Sequence, residues 1–136
     1  MKLKIEEIEI ETKNKREIIN IQNKVEEILE KNKIENGICL IFLPHSTAAL
    51  IANEDEKRLK IDLLNFFEKL APENFPYKHN EIDNNADSHL LSSIFKQFFI
   101  FPIENRKIIK GAWQDLMLAE FDGPRKRRII VVLIGQ

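Results

Sequence analysis

Between positions 98 and 134 the chain runs through four β-rich apolar segments: 98–103, 108–109, 113–121 and 127–134. Only a turn near Asn105 and another at Asp122-Gly123-Pro124 separate the longer ones. A parallel pair needs a crossover of about a dozen residues or more, and no connection here is long enough to supply it. These strands therefore pair antiparallel, and with helical segments upstream the class is α+β rather than a βαβ series.

The upstream half alternates the two periodicities. Leu3, Ile5, Ile8 and Ile10 stand among Lys and Glu, a strand pattern with one break in its two-residue period. Asn14 with Glu17 three residues on resembles a helix start, and Ile18, Ile21, Val25, Ile28 and Leu29 then recur at threes and fours. A helix is predicted over 15–33. Asn36-Gly37 reads as a turn tolerating positive φ, followed by a buried central strand over 38–43. Leu59, Leu63, Phe66, Phe67 and Leu70 predict a second helix stopped by Pro72, and a polar loop covers 71–85. Leu90, Leu91, Ile94 and Phe95 predict a short third helix beginning near Asn85 or Ala86. The expectation is one compact domain over 1–136 with two to three helices. Its core is largely antiparallel sheet, in one sheet or two packed ones.

Charge and cysteine content narrow the function. With 21 basic against 22 acidic residues the formal charge is -1, so no global field favours nucleic acid or an anionic membrane. Arg125-Lys126-Arg127-Arg128 could contact phosphates, but four charges opening an edge-like strand more often stay solvated and discourage aggregation. Cys39 is the single cysteine and lies in an apolar run, which excludes a disulfide framework and a cysteine zinc cluster within one chain. No segment has the apolar length of a signal core or a membrane span, and the expected location is cytoplasmic. P-loop, dinucleotide-binding, nucleophile-elbow and CxxC motifs are all missing.

The polar residues gather at element ends. The three histidines fall in Pro44-His45-Ser46-Thr47, in Tyr77-Lys78-His79-Asn80 and in Asn85-Ala86-Asp87-Ser88-His89. Three imidazoles could hold a zinc-like ion and leave one position open, yet no pair has helical i, i+4 spacing. Scattered surface or capping histidines explain the same residues. Asp87, and Asn53-Glu54-Asp55, read equally as helix caps. Turn chemistry accounts for Asp122, Gly123 and Pro124 but not for Arg125, whose guanidinium beside Glu120 and Asp122 could hold a phosphate. Trp113-Gln114 offers a face for a planar substrate, although a core tryptophan opening a strand is the commoner outcome.

Taken in order, these pieces resemble the YjbQ family from Gly37 to Gly135. They are His45-Ser46-Thr47-Ala48-Ala49-Leu50, Asn53-Glu54, Asp62, Tyr77 with His79, Asn85-Ala86-Asp87-Ser88-His89-Leu90, Pro102, Gly111-Ala112-Trp113-Gln114, and Glu120 with Asp122-Gly123-Pro124-Arg125. The resemblance implies a homotrimer with a polar pocket. In it His45, His79 and His89 would hold a divalent metal of zinc type, with Mg²⁺ an option for a diphosphate substrate. The activity attached to the family is thiamine-phosphate synthesis, a transfer that joins an aminopyrimidine diphosphate to a thiazole phosphate and releases diphosphate. Glu54, Glu120 and Arg125 would be its catalytic groups, with Trp113 against the pyrimidine and Ser46, Thr47, Asn53, Asn85, Asp87, Gln114 and Asp122 lining the substrate site. A metal-dependent phosphoester hydrolase and a non-catalytic metal- or metabolite-binding trimer use the same residues. The chain departs from the family pattern at Ala112, where Thr is usual, and at Lys96 and Arg106, where Gly is common.

Overall fold

The computed structural model describes residues 1–136 as one α+β domain of two antiparallel sheets and three helices. In chain order the elements are β1 (Lys2–Glu11), β2 (Glu17–Asn20), α1 (Gln22–Asn32), β3 (Gly37–Phe42), β4 (Ala48–Asn53), α2 (Lys57–Leu70), a 3-10 turn (Lys78–Glu81), α3 (Ala86–Ile94), β5 (Phe98–Glu104), β6 (Lys107–Ile108), β7 (Asp115–Glu120) and β8 (Lys126–Gly135). The five-stranded sheet runs β1-β8-β3-β5-β6 and the three-stranded sheet β2-β7-β4. No helix is long and apolar enough to cross a membrane.

One core fills the space between the sheets and α1. Ile8, Ile10, Cys39, Ile41, Ile129, Val131 and Leu133 come from the large sheet, Leu50, Leu116 and Leu118 from the small one, and Val25 and Leu29 from α1. Burial pushes the Cys39 thiol up to about 12, so it packs as a small hydrophobe. A second, smaller cluster centres on Phe67, whose ring meets Phe95 and Phe121 edge to face at 5.3 and 5.1 Å.

Several expectations need correction. The helix predicted over 15–33 begins only at Gln22, because Ile18 and Ile19 pair with Ala119 and Leu118 of β7 and the strand pairing overrides helical spacing. Glu17 does reach back to the Asn14 amide, at 3.0 Å, but closes a turn into β2. β4 was not expected. Asn53-Glu54-Asp55 does not cap α2, since the side chain of Glu56 accepts the Arg58 amide there. Gly37 has no positive φ; a Cβ at this position would sit 2.0 Å from the Ile134 carbonyl oxygen, so the residue is small because β8 crosses it closely. Trp113 neither opens a strand nor joins the core, and is 76% exposed in the turn before β7. Arg106, expected to stand where glycine is common, takes the left-handed conformation that glycine favours, with φ 66°.

The largest correction concerns β8. It is no edge strand but lies between β1 and β3. Its inward face carries Arg127, Ile129, Val131 and Leu133; its outward face carries Arg128, Ile130, Val132 and Ile134. The break in the period of β1 has the same geometric origin. The β1–β8 register is continuous, so Ile8 and Ile10 point inward while Leu3 and Ile5 point outward, opposite Ile134 and Val132. On that outer face the register sets Leu3, Ile134, Ile38 and Pro102 in one row. Ile5, Val132, Leu40 and Ile100 form the next, and Glu7, Ile130, Phe42 and Phe98 the third.

Candidate functional site

At the end of the small sheet where β4 starts and β7 stops, a buried ion pair fixes the backbone around the site. Glu120 is 0% and Arg127 3% exposed. Glu120 Oε1 accepts from Arg127 Nε at 2.8 Å and from the Thr12 hydroxyl at 2.7 Å, while Oε2 accepts from Arg127 Nη2 and from the Asp122 amide at 3.0 Å. Arg127 also donates to the carbonyl and hydroxyl oxygens of Thr47, at 3.0 and 2.9 Å. Every acceptor in this knot is engaged. That answers the desolvation cost of a buried pair and ties β1, β4, β7 and β8 together. Glu120, expected as a catalytic proton acceptor, is sealed in this pair, and Thr47, expected to touch substrate, serves it. The Arg125–Arg128 run is likewise not uniformly solvated.

The turn from β7 to β8 carries Asp122 and Arg125 to the surface. Gly123 is required there, since a Cβ would lie 2.1 Å from the Asn14 carbonyl oxygen. Arg125 is about half exposed and donates to Asp122 through Nη2 at 2.9 Å and to the Asp122 carbonyl through Nε at 2.8 Å. Asp122 Oδ2 also accepts from Asn85 Nδ2 at 2.9 Å, and Asn85 Oδ1 lies 3.1 Å from His79 Nε2. The polarity of this chain follows from its end. A carboxylate only accepts, so Asn85 must turn its amide nitrogen to Asp122 and its oxygen to His79; His79 Nε2 must then carry the proton. In the neutral ring the free lone pair is on Nδ1. The His89 ring packs against His79 edge to face, with centroids 4.9 Å apart.

His45 stands apart in its bonding. Its Nε2 accepts the Arg128 backbone N–H at 2.9 Å, which leaves the proton on Nδ1. Burial, and then the Arg127 charge, hold its pKa below the usual histidine range, so the ring is neutral at pH 7. Its one lone pair is committed to the backbone. Within one chain no group of three or more His, Cys, Asp or Glu side chains could hold a metal ion. The three-histidine centre expected from the sequence is therefore not assembled by a single chain, although two of its members do meet.

Asp87 is buried at the start of α3 but does not cap it. Its Oδ2 accepts from Arg16 Nη2 at 2.6 Å and Lys15 Nζ at 3.1 Å, joining the turn before β2 to the helix. Ser46 is exposed beside this end of the sheet. Asn53, Glu54, Trp113 and Gln114 are at the other end. Ala48 pairs with Glu120 and Asn53 with Asp115, so five residues of strand separate the two groups, roughly 17 Å at ~3.3 Å per residue. There Gln114 Oε1 accepts the Gly111 amide at 2.9 Å, and Glu54 sits exposed in the loop before α2. Sequence reasoning missed Arg127, Thr12, Lys15 and Arg16. A signal for Arg127 existed: it shares the parity of Ile129, Val131 and Leu133, and so belongs to the inward face.

A family model described as UPF0047 protein YjbQ-like matches residues 6–136. A UPF0047 protein of Archaeoglobus fulgidus is 42% identical, covering 92% of this chain and 97% of that protein. One from Methanothermobacter thermautotrophicus is 40% identical over 100% of this chain and 95% of its own length. Among solved structures, a YbjQ-like protein of unknown function from Sulfolobus solfataricus superposes with a TM-score of 0.96 at 40% identity, covering 99% of both chains. With the family pattern matched from the first strand to the last and the fold shared over its whole length, the chain belongs to the UPF0047 YjbQ-like family.

Proposed function

We propose that the chain is a metal-dependent enzyme acting on phosphorylated small molecules, with secondary thiamine-phosphate synthase activity, and that it works as a homotrimer. The observation that carries the metal is the His79–His89 pair. Their ring centroids stand 4.9 Å apart, near enough for both rings to reach one ion of zinc type. The Asp122–Asn85–His79 chain supports the same reading, because it fixes the tautomer that leaves Nδ1 free, the usual service of an outer-shell carboxylate and amide. His79 and His89 would hold the ion, with further donors from a second copy or the substrate, His45 being engaged by Arg128.

A divalent ion held there would supply positive charge that offsets a departing diphosphate. Arg125 adds the donors that its two bonds to Asp122 leave free, and Asp122 aims them. In the transfer the thiazole nitrogen bonds to the pyrimidine methylene carbon as its C–O bond to diphosphate breaks, so no proton acceptor is needed at the reacting carbon. This favours transfer over hydrolysis, since Glu120 is sealed and Glu54 is ~17 Å of strand away within the chain.

The test is to incubate the purified protein with the two thiamine precursors, and separately with a panel of phosphoesters, before and after exhaustive chelation. Diphosphate release from the precursors should vanish on chelation, return with added divalent ion, and be lost in His79→Ala and His89→Ala. Release indifferent to chelation removes the metal from the reaction. Phosphate release from the esters alone makes the protein a hydrolase, and tight metal binding with neither reaction makes it a binding protein.

A further inference from the structure

We infer that the cleft between α1 and the β5–β6 hairpin binds a small zwitterion, a molecule such as a free amino acid or a dipeptide that carries an ammonium and a carboxylate about an apolar side chain. Glu104 and Lys107 pair across a two-residue turn whose central residues, Asn105 and Arg106, stand at φ 52° and 66°. Positive φ at both central positions marks the type I′ turn that suits a tight hairpin, and its preferred sequence is Asn-Gly. Asn105 fits that preference. Arg106 does not, since an L side chain in the left-handed region costs stability that Gly would spare. The strain is held from outside the hairpin: the Arg106 amide donates to the Glu35 carbonyl at 2.8 Å, and the Asn105 amide donates to Asn36 Oδ1 at 3.2 Å. A strained residue fixed by its surroundings points to a use for its side chain.

That side chain stands on one wall of a cleft of about 520 Å³, within the ~300–1,000 Å³ of small-molecule sites. Arg106 and Lys107 line the hairpin side, and Glu26 and Glu30, one turn apart on α1, line the other. The floor is core: Leu29 is only 2% exposed, and Ile108 packs against the main hydrophobic cluster. Two carboxylates spaced i, i+4 repel each other on a helix, yet neither is neutralised from across the cleft. Glu26 accepts only from Gln22 Nε2, at 3.1 Å, and the ion pair that α1 does make runs from Lys31 to Glu6. The cleft thus presents a negative wall, an apolar floor and a positive wall, the complement of an ammonium and a carboxylate flanking an aliphatic side chain. A purely anionic ligand meets Glu26 and Glu30, and a purely cationic one meets Arg106 and Lys107, so the ligand needs both signs. Both walls are in place before binding, because the two bonds from the turn tie the hairpin to the connection that follows α1. None of these residues belongs to the site around His79, and the inference is independent of the proposed activity.

The experiment titrates the isotope-labelled protein with leucine and with glycyl-leucine while backbone amide shifts are followed by NMR. Saturable shifts at Leu29, Glu30, Arg106 and Lys107, with a Kd of about 1 mM or tighter, are expected from at least one of the two. The tighter binder separates an amino-acid ligand from a dipeptide. It should lose about tenfold in affinity when its amine is acetylated, and about tenfold when its carboxylate is amidated. Arg106→Gly should melt at a higher temperature than the wild type and yet bind about tenfold more weakly, a combination that a merely structural arginine does not give. Glu26→Gln/Glu30→Gln should lower the affinity to that of the acetylated form, whose own affinity it leaves unchanged. No saturable shift from either zwitterion overturns the inference, as does an Arg106→Gly variant that binds as the wild type does. Should a variant fail to fold, the blocked ligands on the wild type decide, and equal binding of the zwitterion and both blocked forms overturns the inference.

Discussion

Replacing Glu120 by Gln tests whether this carboxylate is structural or catalytic. The change keeps the shape and removes the charge, so Arg127 stays buried without a counter-charge, its acceptors reduced to the two Thr47 oxygens and one amide oxygen. Whichever oxygen the amide nitrogen replaces, it turns a donor toward Arg127 and also toward either the Thr12 hydroxyl or the Asp122 amide, all of which now find an acceptor there. Breaking one side of a buried pair costs about 3–5 kcal/mol, a large share of the ~5–15 kcal/mol that holds a domain together. Over 136 residues an unfolding entropy of ~2.1 cal/mol/K per residue converts that into a drop in Tm of about 10–17 °C. The assay is thermal and urea unfolding followed by circular dichroism at one fixed protein concentration, since assembly couples to stability. The double variant Glu120→Gln/Arg127→Met should lose less than the sum of its two singles, because the second change removes the stranded charge. A loss under about 1 kcal/mol for Glu120→Gln, together with abolished turnover, would refute the structural assignment and return Glu120 to the chemistry.

Four further outcomes are expected. Acidification should destabilise the fold through His45: its native pKa lies below the ~6.5 of the unfolded chain, so the unfolded state takes the proton first. Stability is then full above pH 6.5 and falls as pH drops below it, and His45→Gln should flatten that slope in urea melts between pH 7 and 5.5. Gly123→Ala, which drives a methyl into the Asn14 carbonyl, should cost about 1–3 kcal/mol by the same melts. Arg106→Gly should raise stability by about 1 kcal/mol by relieving a left-handed residue in the β5–β6 turn. Asp87→Asn should lower it by about 1–3 kcal/mol, because it removes the buried charge that Arg16 meets at 2.6 Å and Lys15 at 3.1 Å, while Arg16 keeps its bond to Glu68.

Legibility in the sequence followed locality. The closing strands, the antiparallel class and the start of α3 could be read because period-two runs and short turns are local signals. The stretch from Ile18 to Asn20 could not, because its apolar residues fit a helix and a strand equally well and only β7, about a hundred residues on, decides between them. Trp113 was misjudged for a similar reason: indole area favours burial in general, but the turn from Gly111 to Gln114 holds it outside the sheet. The histidines split along the same line. His79 and His89 meet because Asn80 binds the first amide of α3, at 3.0 Å, and folds the loop over the helix. His45 goes instead to the unpaired amide of Arg128, an outcome that depends on β8 running beside β3 and is invisible in residue spacing.

The position of β8 also bears on how the chain comes to be folded. It is the last strand in sequence and yet the one that separates β1 from β3. While the polypeptide is being made, β1 and β3 are available for most of its length with nothing to join them, and the buried pair cannot form before Arg127 arrives. The large sheet closes only when 126–135 leave the ribosome, so a segment of ten residues converts a string of local elements into a cooperative unit in one late step. Until then the alternating Lys and Glu of β1 repel stray strands, which is the protection that a long wait demands.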